Sequence, residues 1–106
     1  MRVLLDEQLR LDLAAALQGH SVDTVAGRGW TGITNGELQQ RMVGEYDALV
    51  TMDRGIEFQE NLNTLAVGVL LSRAPSNRMM HLQPLVPTIL VALPALKPGE
   101  LHRIGV

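Results

Sequence analysis

The chain of 106 residues has no cysteine, which excludes disulfides and thiolate metal sites. Aromatic residues make up only 3%, too few for a platform on which single-stranded bases stack. The net charge of −2 lacks the basic excess of non-specific nucleic-acid binders. No apolar run is long enough to cross a bilayer or to form a signal peptide. We therefore expect one soluble, cytoplasmic domain over residues 1–106 with no membrane contact.

Strand-like and helix-like segments alternate along the chain. Short apolar or alternating runs predict strands at 3–5, 21–25, 48–51, 65–71 and 100–106. Helical spacing of apolar residues predicts helices at 9–17, 35–44, 57–63 and 79–93, the last with Pro84 or Pro87 near its first turn or kinking it. This alternation favours right-handed β-α-β crossovers. The predicted fold is α/β, a three-layer α/β/α sandwich with a mostly parallel sheet of about four or five strands.

Carboxylates follow two of the predicted strands and begin one of the helices. Asp6 follows the first strand, Asp53 follows the third, and Glu37 lies in the first turn of a helix. In open α/β sheets, ligands bind at the edge formed by the carboxyl ends of the strands. Carboxylates gathered there repel each other, and Mg²⁺ or Mn²⁺ compensates that repulsion. We therefore predict a metal site of Asp6, Glu37 and Asp53, with Glu57 or Glu60 as a fourth ligand.

Such a site has a defined chemistry. A hard divalent cation activates water and stabilises the charge that develops on a phosphodiester. Arg54, Arg73 and Arg78 follow the third and fourth strands and are candidates to bind the substrate phosphate. The alternative for Arg73 and Arg78 is that they hold loop carbonyls.

Each acid also has a purely structural interpretation. Asp6 is placed to cap the helix that follows it. Thr34 and Glu37 have the spacing of a capping box, in which the glutamate reaches back to the Thr34 amide. Asp53 precedes Arg54 and Gly55 and suits a turn. These motifs are weak one by one, so the metal-site prediction depends on their arrangement.

Several segments resemble a family of short bacterial PIN-like proteins of unknown function, related to VapC-type toxins. The similar segments are Met-Arg-Val-Leu-Leu-Asp-Glu-Gln-Leu at 1–9, Gly-Trp-Thr-Gly at 29–32, Asn-Gly-Glu-Leu at 35–38, Leu-Val-Thr-Met-Asp-Arg at 49–54, Gln-Glu-Asn-Leu at 59–62, Arg-Ala-Pro-Ser-Asn-Arg at 73–78 and Leu-Lys-Pro-Gly-Glu at 96–100. The resemblance covers essentially the whole chain.

The resemblance implies an α/β/α fold with a parallel sheet and an acidic site that binds Mg²⁺ or Mn²⁺ and cleaves RNA. By position, Asp6 resembles the family's first-strand aspartate, Glu37 its helix glutamate, and Asp53 the aspartate of a Thr-x-Asp motif. The family further implies a cognate antitoxin as partner and a homodimer. Many relatives carry another acid and then a phenylalanine after the third-strand aspartate, where this chain has Gly55 and Ile56.

Two other functions are compatible with the sequence. The missing fourth acid suits a non-catalytic PIN-like module that only binds a protein or RNA. A receiver-like phosphoacceptor domain has a similar outline, with Asp6 and Glu7 as its acidic pair, Asp53 as phosphoacceptor and Ser72 after the fourth strand. A receiver also needs a lysine after its fifth strand, whereas Lys97 precedes the last predicted strand.

Overall fold

A computed structural model describes residues 1–58 and 66–105, except for the side chains of 57 and 58. Its elements, in order, are β1 (Arg2–Leu5), α1 (Leu11–Ala16), β2 (Ser21–Thr24), α2 (Asn35–Met42), β3 (Ala48–Thr51), a 3₁₀ helix (Arg54–Phe58), β4 (Gly68–Arg73), α3 (Met79–Leu82), a 3₁₀ turn (Gln83–Leu85), α4 (Val86–Ala95) and β5 (Leu101–Gly105).

The strands form one sheet in the order β2-β1-β3-β4-β5, and every neighbouring pair is parallel. The predicted α/β class is therefore confirmed, with five strands. Strands β1 and β3 are next to each other in register, Leu5 lying opposite Val50. Both strands are thus central, which explains why their side chains are apolar on both faces.

Helices cover both faces of the sheet. On one face, Val3, Leu5 and Val50 pack with the buried side of α1, α3 and α4. On the other face, Leu4 and Leu49 pack with α2 and with Ile56 of the 3₁₀ helix. Most of the helix predicted at 57–63 lies outside the described residues, which do not include 59–65. Helix α1, which follows β1, lies on one face of the sheet, and α2, which follows β2, lies on the other. The strands that follow these helices, β2 and β3, lie on opposite sides of β1.

Two predicted elements differ from the structure by more than their end residues. The fourth strand was predicted at 65–71 but runs Gly68–Arg73, because β5 pairs with it as far as Arg73. The helix predicted at 79–93 is divided into α3, the 3₁₀ turn and α4. Pro84 and Pro87 lack the N–H that a continuous helix requires, which accounts for the division.

In the described parts of the chain, none of the helices has the length and apolar character needed to span a membrane.

Candidate acidic site at the carboxyl edge of the sheet

The strand order creates a crevice between the carboxyl ends of β1 and β3. The connection from β1 leads outward to β2, and the chain then returns to the other side of β1 to form β3. In doubly wound sheets, ligands bind at the point where the winding reverses, which for this strand order lies between β1 and β3. Asp6 and Asp53 follow these two strands, so the fold brings them to the same crevice.

Asp6 is held rigidly immediately after β1. Its side chain is buried, with the residue only 6% exposed. The Thr51 hydroxyl donates to its Oδ2 at 2.6 Å, and the backbone N–H of Glu7 donates to its Oδ1 at 2.8 Å. Helix α1 begins later, and its N-cap Arg10 makes no side-chain cap. The capping interpretation of Asp6 is therefore wrong, and its carboxylate belongs to the crevice.

Asp53 is joined to Asp6 through one hydroxyl group. Its backbone N–H donates to Thr51 Oγ1 at 3.0 Å, the same oxygen that donates to Asp6. Its Oδ1 accepts from the Gly55 N–H at 2.9 Å, and its Oδ2 accepts from the Asn35 side-chain amide at 3.4 Å. Asp53 thus does form a turn, as the structural interpretation proposed, and its second oxygen faces the first residue of α2.

Glu37 does not join the two aspartates. Its backbone N–H donates to Thr34 Oγ1 at 3.2 Å, which is half of the predicted capping box. Its carboxylate accepts from Arg41 at 2.7 Å, one helical turn further on, instead of reaching back to Thr34. Within residues 1–58 and 66–105, no three Asp, Glu or His side chains form a group that could hold a metal ion. The predicted clustering of Glu37 with the aspartates is therefore corrected to a helix-surface ion pair.

The remaining predicted acids give no further ligand among the described residues. The Glu57 side chain and all of Glu60 lie outside the described part of the chain. Glu7 turns toward the loop before α2, where its carboxylate accepts from the Gly32 N–H at 3.1 Å. The described acidic site is therefore a pair, Asp6 and Asp53, and the metal role predicted for Glu57 or Glu60 stays a prediction.

Two of the three predicted phosphate-binding arginines lie beside this pair. Arg54 begins the 3₁₀ helix directly after Asp53, and Arg73 ends β4. Both line a groove of about 670 Å³. Arg78 is the N-cap of α3, and its backbone N–H donates to Ser76 Oγ at 3.1 Å. Arg78 does not line that groove.

Two polar residues of the site did not figure among the predicted site residues. Thr51 connects both aspartates and is fully buried. Asn35 contacts Asp53 from the start of α2. The Thr-x-Asp spacing was the available signal for Thr51, because a hydroxyl two residues before an aspartate at a strand end lies near its backbone N–H. Asn35 carries no comparable signal, since its contact arises only from the packing of α2.

The residues required by a receiver site are placed differently. Ser72 lies within β4, is 1% exposed, and its hydroxyl has no hydrogen-bond partner among the described residues. Leu70, two positions earlier, packs on the α1 face, so alternation directs Ser72 to that face also. Lys97 lies between α4 and β5, at the amino end of β5. Neither residue therefore completes a phosphoacceptor site beside Asp53.

No protein-family model matches this chain, and neither a curated protein nor a solved structure matches it significantly. The relation to PIN-like proteins therefore stays a resemblance of short segments. What is established is a small α/β domain with a five-stranded parallel sheet.

Proposed function

We propose that this protein hydrolyses RNA phosphodiester bonds with a divalent metal ion, using Asp6 and Asp53 as its acidic pair. One observation carries the proposal: in the crevice between β1 and β3, the Thr51 hydroxyl donates to the buried carboxylate of Asp6 and accepts from the backbone N–H of Asp53, the second aspartate. Burial of a carboxylate without a cation is unfavourable, and a hydroxyl and one backbone N–H offset only part of that cost.

The residues present fit Mg²⁺ or Mn²⁺. Mg²⁺ is commonly bound through one or two carboxylates, with water and substrate phosphate as the other ligands. Asp6 and Asp53 would supply the carboxylates, and the Asn35 side-chain N–H donates to Asp53 Oδ2 and orients it. Each oxygen of Asp6 accepts one hydrogen bond and keeps further lone-pair capacity. The bound ion would supply an activated water and neutralise charge on the phosphate.

The chain's own groups have separate tasks in this proposal. Thr51 fixes the Asp6 carboxylate, and the Gly55 N–H and Asn35 fix that of Asp53. Arg54 follows Asp53 directly and bears a guanidinium suited to a phosphate. A preorganised pair of this kind positions the phosphodiester without rearranging during the reaction.

The test is cleavage of RNA by the purified chain with Mn²⁺ or Mg²⁺, after removal of any copurifying protein. Asp53→Asn keeps an oxygen for the Gly55 N–H but removes the charge, so we expect activity to fall at least about a hundredfold. Asp12→Asn is the matched control, because Asp12 is an exposed aspartate whose ion pair among the described residues is with Arg10. Absence of cleavage by the wild-type chain, or equal loss in both variants, would refute the proposed reaction.

Metal binding is measured separately by thermal unfolding with and without Mn²⁺. An ion that binds only the folded chain raises the melting temperature of the protein. We expect Asp53→Asn to lose that increase and Asp12→Asn to retain it. Retention by both variants would place the metal elsewhere.

A binding module without catalysis is the second candidate, and the observation favouring it is the Glu37–Arg41 ion pair, which leaves the acidic site with two described carboxylates. RNA binding without cleavage in the assay above would support it. The antitoxin partner and the homodimer follow from the resemblance alone and stay predictions.

A receiver-like phosphoacceptor shares this strand order, which is the observation in its favour. The positions of Ser72 and Lys97 oppose it. Incubation with a small phosphodonor tests it directly, because Asp53 accepts the phosphoryl group only if the site is receiver-like.

A further inference from the structure

A groove opens beside Asp53 at the same edge of the sheet. Its walls are formed by Arg54 on the 3₁₀ helix, Arg73 at the end of β4, and Met80, Pro84 and Leu85 in the α3 region. The volume of about 670 Å³ lies within the range of sites for small organic ligands. Because Arg54 is covalently next to Asp53, the groove begins one residue from the proposed acidic pair.

Among the described residues, the charged side chains that line the groove are two arginines, in a chain whose net charge is −2. No carboxylate is among the described residues that line it. Ion pairs are formed by Arg2, Arg10, Arg28 and Arg41. Neither Arg54 nor Arg73 forms an ion pair with another described residue, and the buried Nε of Arg73 lacks a hydrogen-bond partner there. In the described part of the chain, no carboxylate therefore competes with an anionic ligand for these two guanidinium groups, and phosphate suits their geometry.

The rest of the wall is apolar. Met80 is 69% exposed and lines the groove together with Pro84 and Leu85. His81, also on the wall, is engaged through Nδ1 with the Ser76 hydroxyl at 2.6 Å. A ligand complementary to this groove combines an anionic group with a flat body that has apolar faces. A nucleotide has both parts.

We propose that the groove holds one unpaired nucleotide of a single-stranded RNA, next to the phosphodiester bond that is hydrolysed at Asp6 and Asp53. Arg54 and Arg73 bind its phosphate, and its base lies against Met80, Pro84 and Leu85. A base can enter only when it is unstacked and unpaired, so the groove selects single strands over duplexes. The position next to the reacting bond rests on the proposed function, whereas occupancy by RNA does not.

The experiment measures binding of a fluorescently labelled single-stranded RNA of about eight nucleotides by anisotropy, in EDTA, so that no cleavage occurs. Met80→Glu adds a carboxylate to the groove that Arg54 and Arg73 line, so that it competes with the RNA phosphate for them. Val91→Glu is the matched control, because Val91 is also an exposed apolar residue on a helix, at 77%, and does not line the groove. We expect Met80→Glu to weaken binding about tenfold or more and Val91→Glu to change it less than about twofold.

Two further measurements add specificity. Arg73→Gln should weaken binding and lower the slope of log affinity against log salt concentration by about 1, as loss of one phosphate contact does. A duplex of the same sequence should bind at least about tenfold more weakly than the single strand.

The groove proposal fails if the wild-type chain binds no RNA, if Met80→Glu and Val91→Glu have equal effects, or if the duplex binds as tightly as the single strand. If the variants have equal effects or the duplex binds equally well, and the chain nevertheless cleaves RNA with Mn²⁺, the groove proposal is refuted and the hydrolase proposal stands. The reverse combination, groove-dependent binding without cleavage, supports the groove and refutes the hydrolase.

Discussion

Replacing Thr51 by valine tests the connection between the two aspartates. The side chains have nearly the same shape, so the substitution leaves no large cavity at this fully buried position. It removes the hydroxyl that donates to Asp6 at 2.6 Å and accepts from the Asp53 N–H at 3.0 Å. The buried carboxylate of Asp6 then keeps only the Glu7 N–H as a described hydrogen-bond donor.

The expected loss of stability follows from these two contacts. A hydrogen bond to a charged group contributes about 1.5–3 kcal/mol, and one between neutral groups about 1 kcal/mol. The Asp53 N–H is only partly buried, so water replaces some of the lost contact. We therefore expect Thr51→Val to lower the free energy of unfolding at neutral pH by about 2–4 kcal/mol.

Urea unfolding followed by circular dichroism measures this difference, and two variants control it. Thr51→Ser keeps the hydroxyl and loses one methyl group, which costs about 1 kcal/mol. Thr24→Val removes a buried hydroxyl that only accepts from the Gly27 N–H at 2.9 Å, which also costs about 1 kcal/mol. The reasoning is refuted if Thr51→Val is no more destabilising than Thr24→Val, or if Thr51→Ser is as harmful as Thr51→Val.

Two other predictions concern positions outside the site. The pKa of Asp47 is lowered by the Arg2 backbone N–H, at 2.8 Å, and by the Arg2 side chain. A lowered pKa gives stability that is present above the unfolded value and lost as the pH falls, so Asp47→Asn should flatten the decline of unfolding free energy below about pH 4; an unchanged acid limb would contradict this. Gly105 has φ +85° and faces the Arg73 backbone, so Gly105→Ala should lower the free energy of unfolding by about 2–4 kcal/mol. Gly36 lies in open space on α2, so Gly36→Ala should raise the free energy of unfolding by up to about 1 kcal/mol in the same urea experiment. Equal effects of the two glycine substitutions would contradict the second prediction.

Local patterns predicted the elements well where burial alone decides them. The apolar runs at β1 and β3 are buried on both faces and begin and end within one residue of their predicted limits. Prediction was poorer at β4, because the extent of that strand depends on its pairing with β5. Pairing partners are distant in sequence, so no local pattern contains them.

For the acidic site too, some features follow from the sequence and others only from the tertiary structure. The sequence by itself determined that acids follow β1 and β3, and parallel strands bring their carboxyl ends to one edge of the sheet. Only the tertiary structure decided which acids meet. Glu37 has an arginine one helical turn away and pairs with it, whereas Asp6 and Asp53 share Thr51 because β1 and β3 are neighbours in the sheet. A side chain takes the nearest complementary partner, and nearness between distant segments is set by strand order, which the sequence pattern does not specify.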